Sequence, residues 1–340
     1  MLKKFLSLII SIIFSFSSLF LFSCKKEDNV INIYVVDGLP LLSVCSLLKN
    51  NEVYGKHDKY EIKINIVNGV DAIKGAISRK EADLAVCPIN LSAPLYNGGL
   101  NYRLLTVNVL GELTLIGKPM ANFPHSYKGK TIYNTGMGGT PDVAFKALLK
   151  KYGVNYTENL STAEEDKINI KYLPSTADVV SLLNSGVAEY AILAQPFASY
   201  VLNDENHSHD FAESISERWY YSFDTNMMQA GLIVSEDMLY KDFEAVRTVV
   251  SMLGFNYKYY NDNYKQLPTI LAENGSSLTF NYENIDYIDL GLTLLNAKLN
   301  KTDIQKYLNV LLENSPSSVG GKLPNDDFYL DYEDLVRFQK

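Results

Sequence analysis

The stretch TGMGGTPD, residues 135–142, places three glycines, a hydroxyl and a proline at the mouth of an amphipathic helix. A strand is expected to end near Asn134. Gly136, Gly138 and Gly139 then let the backbone turn where a side chain would clash, with Thr140 as candidate N-cap and Pro141 at the first helical position. Such a helix mouth offers free N–H groups and a positive dipole end to a carboxylate, sulfonate or phosphate oxygen. Plain capping by Thr140 explains the same residue types, so both readings stand. The glycine spacing fits neither GxGxxG nor GxxxxGK[ST], and a nucleotide site is not indicated.

Three further loops follow predicted strands, and ligands of open α/β sheets sit beyond the carboxyl ends of strands. Asp37, Gly38 and Leu39 form one, Pro88, Ile89, Asn90 and Leu91 the second, and Gln195 and Pro196 the third. Asp37 suits a cationic group on a ligand or an Asx-turn with Gly38. Asn90 can donate and accept, which fits an amide or pyrimidine edge, or it caps the segment that follows. Trp219, the sole tryptophan, offers ring stacking or core packing. His207, His209 and Asp210 have metal-ligand types, but NDENHSHD is wholly polar with no third histidine nearby, and reads as a surface loop. No metal, cofactor or catalytic group is expected.

The elements that position these loops alternate between strand and helix. INIYVVDG, EIKINIVNG and DLAVCPIN read as strands, with helical spacing in LLSVCSLLKNN and GVDAIKGAISRKEA between them. Two more strands are expected at 104–110 and 113–117. The rhythm restarts after Pro119 with KTIYNTG, KINIKYLPS and EYAILAQP as strands, separated by helices, and MMQAGLIVS is a strand whose Ser235 caps the next helix. From Lys241 onward the pattern is helical, through FEAVRTVVSML, QLPTILAENG, YIDLGLTLL and TDIQKYLNVLLE. The class is α/β.

The chain opens with Lys3, Lys4 and an apolar run that stops at LFSC, a signal peptide over 1–23 with a lipobox and a lipidated Cys24. Phe22 departs from the small residue usual there, and an uncleaved anchor is the alternative. The 317 residues beyond the cleavage point (340 less 23) carry a formal charge of −10, because Lys3 and Lys4 leave the overall −8. An acidic surface without a basic stripe argues against nucleic acid. That length exceeds one core, so two lobes are expected. Cys45 and Cys87 lie in apolar runs and read as buried small hydrophobes, with a bridge between them as the alternative.

Three segments carry a resemblance: GKTIYNTGMGGTPDVAFKALLKKYGV at 129–154, DVVSLLNSGVAEYAILAQPFAS at 178–199 and AIKGAISRKEADLAVCPINLSAPL at 72–95. Together with the lipobox they resemble the extracytoplasmic substrate-binding proteins of ABC importers, in the branch for nitrate, sulfonates, taurine and thiamine-precursor pyrimidines. The resemblance covers roughly residues 30–265. It implies a type II periplasmic-binding-protein fold, two α/β lobes joined by two crossing strands near 115–120 and 226–231. Lobe 1 would comprise 24–117 and 228–340, lobe 2 would comprise 118–227, and the four loops would line the cleft. A small solute, membrane permease subunits and a lipid anchor would be the partners of a monomer. Members that bind small strong anions usually carry cations in the cleft, and none of the four loops has an arginine, which points to a heteroaromatic or amide-bearing solute. The fold also hosts biosynthetic enzymes and non-transporting sensors, but an export signal and the lack of converging catalytic groups favour binding.

Overall fold

Residues 29–56, 58–158, 162–278 and 290–338 are described by a computed structural model of the protein. The expected leader and Cys24 lie outside the described residues. Strand β1 (Val30–Val36) alternates buried Ile31, Ile33 and Val35 with half-buried neighbours, the period of a strand covered more fully on one face. The short helix α1 (Leu39–Leu42) leads through a 3-10 turn to the hairpin β2 (Glu52–Tyr54) and β3 (Lys59–Val67). Helix α2 (Val70–Ser78) connects to β4 (Leu84–Pro88), whose Leu84 to Cys87 are all buried because strands flank it on both sides. Helix α3 (Ile89–Asn97) starts where β4 ends, and β5 (Tyr102–Leu110) follows it.

The second sheet begins at β6 (Leu113–Ile116) and continues with β7 (Thr131–Thr135), α4 (Thr140–Lys151), β8 (Tyr156–Thr157) and β9 (Ile168–Leu173). Helix α5 (Thr176–Asn184), opened by a Ser175–Asp178 capping box, precedes β10 (Tyr190–Ala194), α6 (Phe197–Leu202), β11 (Phe211–Ser214) and α7 (Ile215–Phe223). The chain then returns as β12 (Met228–Ser235) to the first sheet and continues as α8 (Glu236–Leu253), α9 (Asn256–Asn263), α10 (Leu267–Glu273), β13 (Leu292–Asn296) and α11 (Lys301–Asn314). Ser235 caps α8 as expected, accepting from the Met238 N–H at 3.2 Å.

The first sheet has the order β13-β5-β12-β4-β1-β3-β2 and the second β11-β6-β10-β7-β9-β8. Two sequence expectations change here. Strand β6 pairs antiparallel with β10, so the outward crossing falls at Gly111–Glu112 rather than at 115–120. Of the stretch 287–295, expected to be helical, residues 287–289 lie outside the described residues and 292–295 belong to β13, which pairs antiparallel with β5. Its leucine spacing is compatible with a helix, but the open edge of β5 offers a ladder.

The two crossings touch. Gly111 N–H donates to Met227 O at 2.7 Å. Ser216 Oγ donates to Gly111 O at 2.6 Å and accepts from Leu113 N–H at 2.7 Å. Helix α11 leaves the first sheet and buries Ile304, Tyr307, Leu308 and Leu311 in one core with Phe145 and Leu148 of α4 and Trp219 of α7. Each side chain buried this way is worth about 1.5–3 kcal/mol. The tail also packs. Leu330 N–H donates to Leu104 O at 2.8 Å, with Phe328, Tyr329 and Leu335 buried. Cys45 and Cys87 are free and buried, and loss of water pushes both thiols up to about 12. Among the described residues no helix is long and apolar enough to cross a membrane.

Candidate functional site

The loops after β4 and β7 meet across the lobes. Asn90, the second residue of α3, and Thr140, the first of α4, are both at least nine-tenths buried, and Thr140 Oγ1 donates to Asn90 Oδ1 at 3.4 Å. Thr140 is not the N-cap. Gly139 holds that position in extended geometry without a side-chain bond, which frees the hydroxyl to face the other lobe. Tyr307 of α11 brings its wholly buried hydroxyl beside Thr140. The glycine loop supplies shape: Gly138 has φ 79°, a region L side chains rarely adopt, and a Cβ on Gly139 would lie 2.9 Å from Gly136 O.

The helix mouth already holds an anion of its own. Gly138 N–H donates to Asp142 Oδ2 at 2.7 Å, and Asp142 is 1% exposed. Lys146 Nζ lies 2.9 Å from the same oxygen and 2.7 Å from Glu158 Oε1. Tyr172 Oη reaches Asp142 Oδ1 at 2.6 Å and Glu158 Oε1 at 2.8 Å. Burial alone would lower the Lys146 pKa, yet its bonds to Glu158 and Asp142 leave it raised. Burial opposes ionisation of Glu158 too, and Lys146 and Tyr172 outweigh it so that its pKa falls. Tyr172 is driven the other way, its pKa raised first by burial and then by the two acidic partners. This cluster was not foreseen. Its one signal in the sequence was an acid at the third helical position, where the dipole favours negative charge.

The other expected site residues have structural duties. Asp37 accepts from Gly38 N–H at 3.1 Å, Ser276 Oγ at 2.6 Å, Ser277 N–H at 2.7 Å and Ser277 Oγ at 2.7 Å. Four bonds use the lone-pair sites of a carboxylate, so Asp37 anchors the loop after α10 rather than awaiting a cation. Gln195 Oε1 accepts from Ser199 N–H at 3.1 Å and its own N–H donates to Glu112 O at the crossing. Three more of the expected residues lie in the hydrophobic cores. Leu39 and Leu91 point into the cores. Trp219 is wholly buried, with ring centroids 4.6 Å from Phe223 and 5.8 Å from Tyr307. Helix α1 is buried at all four positions and α3 at its first five, so neither leucine has a solvent side to turn to, whereas Trp219 lies one turn after Ile215 on the buried face of α7.

The histidine stretch behaves as a surface loop. His207 Nδ1 lies 2.8 Å from Asp204 and His209 Nε2 lies 2.9 Å from Asn184 Oδ1. Among the described residues no group of three or more His, Cys, Asp or Glu could hold a metal. His57 lies outside them.

No protein-family model matches the sequence, and no curated protein matches it. Solved structures do match. An ABC transporter protein from Parabacteroides distasonis superposes with a TM-score of 0.69 at 20% identity, over 89% of this chain and 99% of its own. The ligand-binding component of an ABC-type import system from Staphylococcus aureus, solved with zinc bound, gives 0.62 at 14% identity, over 91% and 99%. The periplasmic aliphatic sulphonate-binding protein of Escherichia coli gives 0.59 at 14% identity, over 88% and 95%. Two α/β sheets, two touching crossings and strand-end loops that meet between them give this chain the two-lobed fold of the periplasmic substrate-binding proteins of ABC importers.

Proposed function

We propose that the protein is an extracytoplasmic, Cys24-anchored lipoprotein that captures a small solute between its lobes and presents it to the permease subunits of an ABC importer. The observation that carries this reading is the meeting of Asn90 and Thr140 from opposite lobes at the ends of β4 and β7. Closure about Gly111–Glu112 and the segment 224–227 would let one solute contact both lobes. Contacts made only in the closed form would then shift the population towards it. Lobe 1 in this reading is 24–111 with 225–340, and lobe 2 is 112–224. Affinities of about 10 nM to 10 μM suit capture followed by release.

The solute is an uncharged heteroaromatic or amide, of which a thiamine-precursor pyrimidine is an example. Asp142 supports this choice, because its carboxylate already takes the Gly138 N–H at the helix mouth and leaves less room for an external anion. A thermal-shift screen of the purified protein against pyrimidines, nucleobases, riboflavin, taurine, alkanesulfonates and nitrate tests both points. A solute at 100 times its Kd adds about 2.7 kcal/mol, a shift of ~4 °C for a chain of this size. Response to alkanesulfonates alone would keep solute capture and overturn the neutral class. No response to any of them would count against capture of these solutes.

Thr140→Val keeps the helix cap, which Gly139 holds, but leaves the buried Asn90 Oδ1 without its donor, and the unliganded protein is expected to melt about 2 °C lower. It should weaken solute binding by about tenfold, or ~1.4 kcal/mol. Titration calorimetry on both proteins checks this, and unchanged affinity would remove Thr140 from the site.

A further inference from the structure

Helix α11 is fastened to the first lobe at both ends and packed on the second along its length. Before it, Ala297 N–H donates to Leu105 O of β5 at 3.0 Å and Lys298 N–H to Leu330 O at 3.1 Å. After it, Asn97 Nδ2 at the end of α3 donates to Val319 O at 3.1 Å and to Lys322 O at 2.8 Å. Gly320 comes so close to α3 that an added Cβ would lie 2.9 Å from Pro94 Cα. Between these anchors the helix packs on α4 with Ile304, Tyr307, Leu308 and Leu311 buried. The Tyr307 ring centroid stands 5.8 Å from that of Trp219 in α7, and Lys150 Nζ at the end of α4 donates to Glu313 O at 3.1 Å.

The same helix holds the returning crossing. Thr225, 3% exposed, donates from Oγ1 to Asp303 O at 3.2 Å. Lys306 Nζ lies 3.1 Å from Asp224 Oδ2, an exposed contact that adds little by itself. The connections at the two ends of α11 have little slack, because each is already a tight turn: Lys301 N–H donates to Lys298 O and Ser318 N–H to Ser315 O. A lobe that swings about Gly111–Glu112 and 224–227 must therefore tear an anchor of α11 or draw Tyr307 away from Trp219. We propose that α11 is a brace across the hinge, which limits the lobes to a small relative rotation as long as Tyr307 stays on Trp219 and Thr225 on Asp303. The brace stands independently of any solute. Its consequence, that a small solute enters through a narrow gap, rests on the interlobe capture proposed above.

The test is amide hydrogen exchange, read by mass spectrometry on the full chain in detergent without solute, so that it is separate from the fate of the capture reading. The reporter is Gly111 N–H, which bonds one crossing to the other through Met227 O. Tyr307→Ala should speed its exchange about tenfold while β1, β4 and β9 keep their parent rates. Tyr307→Phe, which keeps the ring on Trp219, should exchange like the parent. Faster exchange confined to α11, α4 and α7, with Gly111 at its parent rate, would overturn the proposal, since the helix would then be packed without holding the hinge. Thr225→Val removes only the hydroxyl bond to Asp303 O and should speed Gly111 exchange about threefold. It decides alone should Tyr307→Ala unfold, and a parent rate at Gly111 in Thr225→Val would then sink the brace. Trp219 is the sole tryptophan, so its fluorescence reports the same contact in the parent. It should resist quenching by acrylamide, and ready quenching would overturn the proposal because α11 would then stand off the second lobe.

Discussion

Asp142→Ala is expected to melt about 5 °C below the parent protein, a loss of ~3 kcal/mol. Deleting one partner of a buried ion pair costs about 3–5 kcal/mol because the other is left bare. Here the figure falls at the low end, since Glu158 remains bonded to both Lys146 and Tyr172. What has no substitute is the Gly138 N–H, which loses its acceptor. The glycine loop, held at φ 79° at Gly138, should then loosen, and solute affinity should fall along with stability. Asp142→Asn keeps a carbonyl acceptor and should lose about half as much. Thermal melts of both variants decide the matter, and a parent-like melt of the alanine variant would show that the carboxylate contributes nothing to the loop. The alanine variant carries a second expectation, that sulfate or an alkanesulfonate stabilises it more than it stabilises the parent, because the helix mouth is no longer filled from within.

Trp219→Ala should cost about 3–5 kcal/mol, or ~5–8 °C, as large aromatic deletions in a packed core do. The indole is sealed between Phe223 and Tyr307, where helix α11 returns from the first sheet to lie on the second lobe. Its loss opens a cavity at a three-helix junction that Thr140 borders through Tyr307. Trp219→Phe should cost far less, about 1 kcal/mol, because the ring volume is mostly kept and the Nε1–H has no partner to lose. Were the tryptophan a platform for a solute ring, the alanine variant would lose affinity while melting like the parent. Denaturant unfolding together with solute titration separates the two outcomes.

Much of this molecule was settled by local pattern. Alternating Ile31, Ile33 and Val35, the fully apolar run at β4 and the helical spacing after Pro141 each follow from burial along a period of two or 3.6 residues, and those periods are intrinsic to the chain. Ser235 as a helix cap was legible for the same reason, since its partner is three residues away. Meeting of the strand-end loops could be expected from the order of elements, because sheets of this class put their loops at one edge. Local reasoning failed wherever a partner came from far along the chain. Leucines at 292, 294 and 295 became a strand because β5 had an open edge. The carboxylate of Asp37 was taken by serines some 240 residues away, Trp219 was enclosed by a helix nearly 90 positions later, and the hydroxyl of Thr140 turned to Asn90 rather than to its own helix. A residue's type fixes which bonds it can make. Its neighbours in the folded lobes decide which of them remain unmade, and a solute can use only those.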